Sequence, residues 1–304
     1  MNYKDWLNEW LDLYVKPTSK IQTQKKYTLI IDNHLVPALG EYELKDLTAA
    51  RLQKFTTELT FTGLAPNTVN VILTVLKASL RKAVLMDYVK QEYSNAICRP
   101  KHREKMVECF TLEEQKKIEA HIIRKKGTKY VGILLALYTG LRIGELLALK
   151  WSDLDFRTGF LNVTKSCYDS WIDGRYKKTI DTPKTASSVR QIPIPRQIIP
   201  YLIEVKAMSP SEYVVMGRLK EEGAEIRSYQ RTFKNLLNQL EIPHRGFHSL
   251  RHTFATRALE CGMDVKTLSE ILGHRDPSVT LQRYAHSLME HKVEMMNRLG
   301  RLFE

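Results

Sequence analysis

Residues 246–284 gather His248, Arg251, His274 and Tyr284 into fewer than forty positions. His248 and Arg251 stand three apart, so a helix turns both to one face. The apolar run Val265–Leu272 ends at Gly273, a residue suited to closing a helix, and leaves His274 where helix gives way to turn. Asp276-Pro277 opens a further helix, with proline in its first turn, and that helix carries Tyr284. One phenol, one guanidinium and two imidazoles, with no carboxylate cluster among them, suit metal-free attack on a phosphodiester. They supply a nucleophile, a cation that grips phosphate, and groups that titrate near neutrality.

A second group lies upstream. Arg142 sits in Thr139-Gly140-Leu141-Arg142-Ile143-Gly144-Glu145, and Lys184 in Thr182-Pro183-Lys184-Thr185. A phosphodiester resists attack because its anionic oxygens repel the nucleophile and its alkoxide leaves poorly. Arginine answers the first difficulty, since a planar guanidinium binds two phosphate oxygens at once and stays charged. Arg142 and Arg251 are the candidates, and a donor fixed where charge grows in the transition state is worth on the order of 3 kcal/mol. Tyr284, as nucleophile, has an ordinary pKa of about 10 and needs a cationic surround or a base.

Singly, these residues read as plainer things: Arg142 and Glu145 as a helix-surface ion pair, the histidines as core groups, Tyr284 as a core aromatic. Together, and in this order, they resemble the tyrosine recombinases, the phage-integrase family. The likeness is carried by His248-Ser249-Leu250-Arg251-His252-Thr253, by Leu272-Gly273-His274, by a tyrosine ten residues after that histidine, and by the Arg142 and Lys184 boxes. It covers roughly residues 1 to 290. The resemblance implies the catalytic set Arg142, Lys184, His248, Arg251, His274 and Tyr284. Tyr284 attacks phosphorus to give a 3′-phosphotyrosyl ester, and His248 accepts or orients its proton. His274 donates a hydrogen bond to the phosphate, and Lys184, on a β-hairpin, protonates the leaving 5′-oxygen. The ester stores the energy of the broken linkage, so no ATP, metal or other cofactor is expected. Two positions depart from the family: Ser249, where aspartate is frequent, and the His274-to-Tyr284 gap, one residue longer than in many members. Neither removes a catalytic group.

At 304 residues the chain suggests one large domain or two ordinary ones, and a 43% hydrophobic content is enough for a buried core. A formal charge of +13 favours a polyanionic partner, nucleic acid first. The excess is uneven: residues 1–100 hold 13 Lys+Arg against 10 Asp+Glu, and residues 101–304 hold 34 against 24. Cys98, Cys109, Cys167 and Cys261 lie far apart with no CxxC, which argues against a disulfide framework or zinc site and for a reducing compartment. The first ten residues are acidic and aromatic, unlike a signal peptide. No apolar run approaches the roughly 18 residues of a membrane span.

Four amphipathic helices are expected first. One bears Trp6, Trp10, Leu13 and Tyr14, and one covers 21–34 and stops before Pro37. A third opens at Thr48 with Leu52, Phe55 and Leu59 on one side, and a fourth covers 68–86 with the stripe Val69, Ile72, Leu73, Leu76, Leu80 and Val84. Lys77, Arg81 and Lys82 on the last are candidates for phosphate contact. Residues 96–107 are basic and aperiodic. Lys101, Arg103 and Lys105 would make that stretch a strap along the DNA backbone, adding affinity and salt dependence but no sequence information. Thr111-Leu112-Glu113-Glu114 is a capping box, 130–138 a buried helix, and 143–149 a short helix after Arg142, with Glu145 placed to hold that guanidinium. Strands are expected over 160–164, 176–182 and 190–194, forming one antiparallel sheet with Lys184 at a hairpin tip. Helices return over 198–207, 228–240, 249–260, 265–272 and 278–286.

The expected fold is mainly α. By resemblance, residues 1–95 form an all-helical, SAM-like core-binding bundle, half of a clamp on DNA. Residues 96–107 form a basic linker. Residues 108–287 form a larger, mostly helical α+β catalytic domain with a small antiparallel sheet. A tail, 288–304, places Met289, Val293, Met296 and Phe303 near one helical face, and the resemblance docks it into a neighbouring protomer. Longer family members carry an arm-binding domain before the bundle, and no counterpart is expected here. The implied function is site-specific recombination, integrating or excising a mobile element or prophage. Chromosome-dimer resolution and a type IB-like topoisomerase share the chemistry. The intact catalytic set argues against a DNA-binding regulator, and the missing carboxylate cluster against a metal-dependent nuclease. The partners implied are double-stranded recombination sites, further copies of the chain in a tetramer on DNA, and an accessory excisionase or host DNA-bending protein. No membrane is involved, and the expected location is the cytoplasm of a bacterium or phage host, on the nucleoid.

Overall fold

The structure is a computed structural model. It describes residues 1–101, 108–172, 175–181, 189–219, 222–274, 276–278, 296–297 and 299–301. The chain divides into two compact units, Met1–Lys105 and Met106–Glu304.

The first unit is helical throughout. α1 (Tyr3–Trp10) starts on Asn2, whose side chain accepts the Asp5 backbone N–H at 2.8 Å. It is extended by one wide turn, Leu11–Val15, in which the Lys16 N–H reaches back to the Leu11 carbonyl. α2 (Ile21–Ile30) continues through a second wide turn, Ile31–Leu35, into α3 (Val36–Leu39). The expected stop before Pro37 is therefore corrected. Pro37 falls in the first turn of α3, where its missing N–H costs no helical hydrogen bond, and the wide turn before it absorbs the ring. α4 (Ala49–Phe61) is capped by Thr48, and α5 (Pro66–Leu85) begins on a proline. The core joins Tyr3, Trp6, Leu7 and Trp10 to Leu52, Phe55, Val69, Ile72, Leu73, Leu76 and Leu80. Leu13, expected on the buried stripe, is exposed. Two polar groups drawn into this core are paired: Tyr3 Oη lies 2.7 Å from Ser79 Oγ, and Trp6 Nε1 donates to the Ser79 carbonyl at 3.0 Å.

The second unit opens with α6 (Leu112–Lys125), closed at its start by the reciprocal Thr111–Glu114 capping box. α7 (Val131–Thr139) is buried almost all round, which accounts for its lack of a polar stripe. α8 (Ile143–Ala148) follows. Then come five strands: β1 (Leu154–Asp155), β2 (Phe160–Val163), β3 (Ser166–Ile172), β4 (Arg175–Asp181) and β5 (Arg190–Pro193). α9 (Ile199–Met208), α10 (Ile226–Gln239), α11 (His248–Glu260) and α12 (Val265–Leu272) follow, and Pro277 opens a further helical turn. The remainder of the helix expected over 278–286 lies outside the described residues.

The single expected sheet is two sheets. β2 is central in one, with β1 on one side and β5 on the other, Leu161 opposite Ile192. β4 pairs instead with β3, from Ser166 opposite Asp181 to Ile172 opposite Arg175. That register leaves a two-residue connection, Asp173-Gly174, a sequence suited to a tight hairpin, and a local hairpin forms with less loop-closure cost than a distant pairing. Among the described residues β4 and β5 are not paired. The stretch holding Lys184, between β4 and β5, lies outside the described residues.

Candidate active site

The corner between α7 and α8 sets the first arginine. α7 closes at Gly140, with φ of 64°, and a Cβ there would lie 2.5 Å from the Phe254 ring of α11. Both the left-handed turn and the close approach call for glycine. The chain leaves through Leu141 and starts α8 from Arg142. Glu145, 4% exposed, turns back on that start. Its Oε2 accepts the Arg142 backbone N–H at 3.0 Å and its Oε1 accepts Arg142 Nη1 at 2.8 Å. α8 itself is pressed onto β3, where a Cβ on Gly144 would meet the Cys167 carbonyl at 2.5 Å.

The first turn of α11 sets the second arginine. His248 is exposed, while Arg251 is 2% exposed. Arg251 donates from Nη1 to the Gly140 carbonyl at 2.8 Å and from Nη2 to the Leu272 carbonyl at 2.9 Å. Nη2 also lies 2.8 Å from His274 Nε2. A guanidinium has only donors, so Nε2 accepts and the ring proton belongs on Nδ1. The expected donor role of His274 is thereby narrowed: towards Arg251 the imidazole accepts, and Nδ1–H is its donating side.

The C-terminus of α12 joins the two. A helix end carries orphan carbonyls and the negative pole of the macrodipole. Here three successive carbonyls each take an arginine. Arg190 Nε donates to Ile271 at 2.6 Å, Arg251 to Leu272, and Arg142 Nη2 to Gly273 at 3.2 Å. Gly273 closes the helix in the left-handed conformation, and His274 follows. Burial alone would push the Glu145 carboxyl up. Hydrogen bonding and charge from Arg190, with the charge of Arg142, outweigh it and hold the group below the usual carboxylate range. Nearby, Lys178 of β4 donates to the Leu147 carbonyl of α8 at 2.6 Å, and burial pulls its amine below the ordinary lysine range.

Arg142, Arg251 and His274 are thus brought together, with His248 one turn before Arg251. Lys184 and Tyr284 lie outside the described residues. Two members of this environment were not singled out from sequence. His252 meets His248 edge to face, ring centroids 4.5 Å apart, a pairing that its spacing of four on a helix allows. Arg190 looks like any strand arginine, and only the pairing of β5 with β2 carries it to Glu145.

Of the candidate DNA contacts, Lys77 donates to Asn95, Arg81 lies 3.7 Å from Glu92, and Lys82 stands 4.3 Å above the Tyr14 ring. Lys101 is exposed, and Arg103 and Lys105 lie outside the described residues. A cationic face missed from sequence is on α10, where Arg227, Arg231 and Lys234 are exposed at helical spacing. No described helix is long and apolar enough to cross a membrane.

Residues 108–291 match the phage integrase family, and residues 2–60 match the phage integrase N-terminal SAM-like domain. The chain is 30% identical to a XerC-like tyrosine recombinase of Caldanaerobacter subterraneus, covering 98% of this chain and 81% of that protein. It is 26% identical to the ICEBs1 integrase of Bacillus subtilis, covering 93% and 79%. The structure is similar to that of the Tn1549 transposon integrase in complex with transposon right-end DNA, with a TM-score of 0.82, 22% identity, and coverage of 99% of this chain and 100% of that one. That likeness shows a shared fold. The chain belongs to the phage integrase family and is a tyrosine-type site-specific recombinase, an enzyme of DNA strand breakage and rejoining.

Proposed function

We propose that Tyr284 opens a DNA strand at a mobile-element end by attacking the scissile phosphorus, with Arg142, Arg251 and His274 around the phosphate. The P–O5′ bond breaks as the bond from phosphorus to the Tyr284 oxygen forms. His248 takes the phenolic proton, and Lys184 delivers one to the departing 5′-oxygen. A second 5′-hydroxyl reverses these steps and displaces tyrosine. The observation that carries this reading is the convergence of Arg142, Arg251 and His274 on the last turn of α12, where donors fixed in advance meet a growing negative charge without reorganising. Residues 1–95 and the basic stretch 96–107 grip the duplex backbone, and α10 adds a cationic face.

Exchange between two duplexes cuts four strands once each, which calls for four copies of Tyr284 and a tetramer on DNA. The tail from Leu288 supplies the link between protomers, and its Met296 and Leu299 are exposed apolar side chains suited to a neighbour's surface. A chain ended at Ser287 should bind a half-site but lose cooperative pairing on a full site. An excisionase or host DNA-bending protein would set the direction of exchange, in the cytoplasm of a bacterial host.

The test is a duplex nicked beside the cleavage point, which loses its short 5′ product and traps the covalent adduct on a denaturing gel. Wild-type protein should be trapped. Tyr284→Phe should bind the duplex equally and give no adduct, and an adduct of the same size from that variant would refute the assignment.

A further inference from the structure

Arg190 is a buried charge that the proposed chemistry leaves without a task. Its side chain is 7% exposed, and its partners are built around it. Nη2 donates to Glu145 Oε2 at 2.9 Å and Nη1 to Oε1 at 3.1 Å, while Nε is fixed on the Ile271 carbonyl. Each Glu145 oxygen therefore accepts one hydrogen bond from Arg142 and one from Arg190. A carboxylate held by one arginine can pivot about it. Gripped from a second side in a bidentate fork, it has one orientation. Glu145 is also nearly covered, and without Arg190 it would be a buried anion shared with a guanidinium that is 36% exposed.

Stability alone is a weak reason to bury such a network, since apolar side chains would serve as well. Orientation is a better one. Arg142 is held at its backbone and guanidinium by Glu145, and again at the Gly273 carbonyl, so whatever fixes Glu145 fixes the aim of Arg142. Arg190 also begins β5, six residues along the chain from Lys184.

We propose that Arg190 is a positioning residue for strand cleavage. It clamps Glu145 so that Arg142 is aimed at the scissile phosphate, and it ties that aim to the strand leading out of the Lys184 segment. The proposal rests on the reading of Arg142 as a phosphate-binding group.

The experiment uses full-length protein and the nicked duplex with either an ordinary scissile phosphate or a methylphosphonate, whose neutral phosphorus no longer needs its charge neutralised. Arg190→Met should cleave the ordinary substrate about a hundredfold more slowly than wild type. On the methylphosphonate it should fall within about threefold of wild type, because the group it positions is no longer required. Half-site binding, measured by gel shift, should also stay within about threefold. Arg190→Lys keeps the charge but cannot bridge two oxygens. It should lose about tenfold on phosphate and little on methylphosphonate, and it carries the test if the methionine variant does not fold. An equal loss on both substrates would make Arg190 a general structural residue and overturn the proposal. Arg142→Ala is the control. If it loses as much on methylphosphonate as on phosphate, the phosphate-binding reading of Arg142 is wrong, and the positioning role falls with it. If Arg142→Ala is spared and Arg190→Met is not, only the role of Arg190 is wrong.

Discussion

The two units bury their polar groups in opposite ways. Inside the N-terminal bundle the buried polar side chains are neutral: Thr56, Ser79 and Ser94, together with the tyrosine and indole that bond at Ser79. The second unit buries Glu145, Arg190 and Arg251 at one place, the end of α12. Taking ions from water costs several kcal/mol each, at least about as much as their attraction returns. A bundle whose task is to hold shape has no use for that cost. A site that must present cations to a phosphate without rearranging does, because fixed donors in a dry setting act more strongly than mobile ones in water.

The contrast would break most visibly if charge without geometry were enough at the α12 end. Arg142→Lys and Arg251→Lys should each cut single-turnover cleavage by at least about a hundredfold, since lysine cannot grip two oxygens. Their stabilities should separate. Arg251 serves two backbone carbonyls and His274 from a covered position, so Arg251→Lys should cost about 2 kcal/mol in denaturant unfolding. Arg142 is 36% exposed, and its lysine variant should cost less than about 1 kcal/mol. Equal losses of stability would mean that the difference in burial carries no energetic weight.

Acid should sharpen the comparison further. Glu145 has its folded pKa held below its ordinary value by Arg190 and Arg142 against the cost of burial. Its stabilisation is therefore fully present above the unfolded carboxylate value of about 4.5 and is lost as pH falls through the lower folded value. In the bundle, burial raises the Tyr3 pKa, so that phenol is neutral in acid in both states and its stabilisation is lost only as pH rises above about 10. Melting between pH 6 and pH 3 should thus weaken the second unit more than the first. Glu145→Gln should lower the neutral-pH stability of the second unit by about 3 kcal/mol and remove the Glu145 share of its acid dependence. An unchanged acid slope in that variant would show that Glu145 is not the group being titrated.

What could be read from sequence follows the same division. Periodicity located the bundle helices because a helix packed on one side repeats its apolar residues, as Val69, Ile72, Leu73, Leu76 and Leu80 do. It misjudged Pro37, because a wide turn that accommodates proline leaves no mark on that repeat. In the second unit the motifs named Arg142, Arg251 and His274, since each is local: a cap, a first helical turn, a helix exit. β3 was missed although Asp173-Gly174 pointed to it, and with it the division into two sheets. Arg190 was illegible for a stronger reason. Its meaning depends on which strand β5 joins and on where α12 ends, and both are tertiary facts.

The smallest expected effect concerns the surfaces that meet the duplex. Lys77, Arg81 and Lys82 of α5 already have partners in their own unit: Asn95, Glu92 and the Tyr14 ring. A cation that leaves such a partner for a phosphate gains only the difference between the two, so each contributes little net affinity. Arg231 and Lys234 of α10 are exposed along one helical stripe, and a backbone running past that stripe meets both. Each phosphate neutralised adds about 0.9 to the slope of log affinity against log salt. The double alanine variant at Arg231 and Lys234 should therefore flatten the slope by about 2 and weaken half-site binding about tenfold at moderate salt. The alanine variant at Lys77, Arg81 and Lys82 should change the slope by less than about 1 and the affinity by less than about threefold. Fluorescence anisotropy on one half-site across a salt series reads both quantities. A larger change from α5 than from α10 would mean that the pairs on α5 open when DNA binds, and that the bundle supplies the stronger phosphate grip.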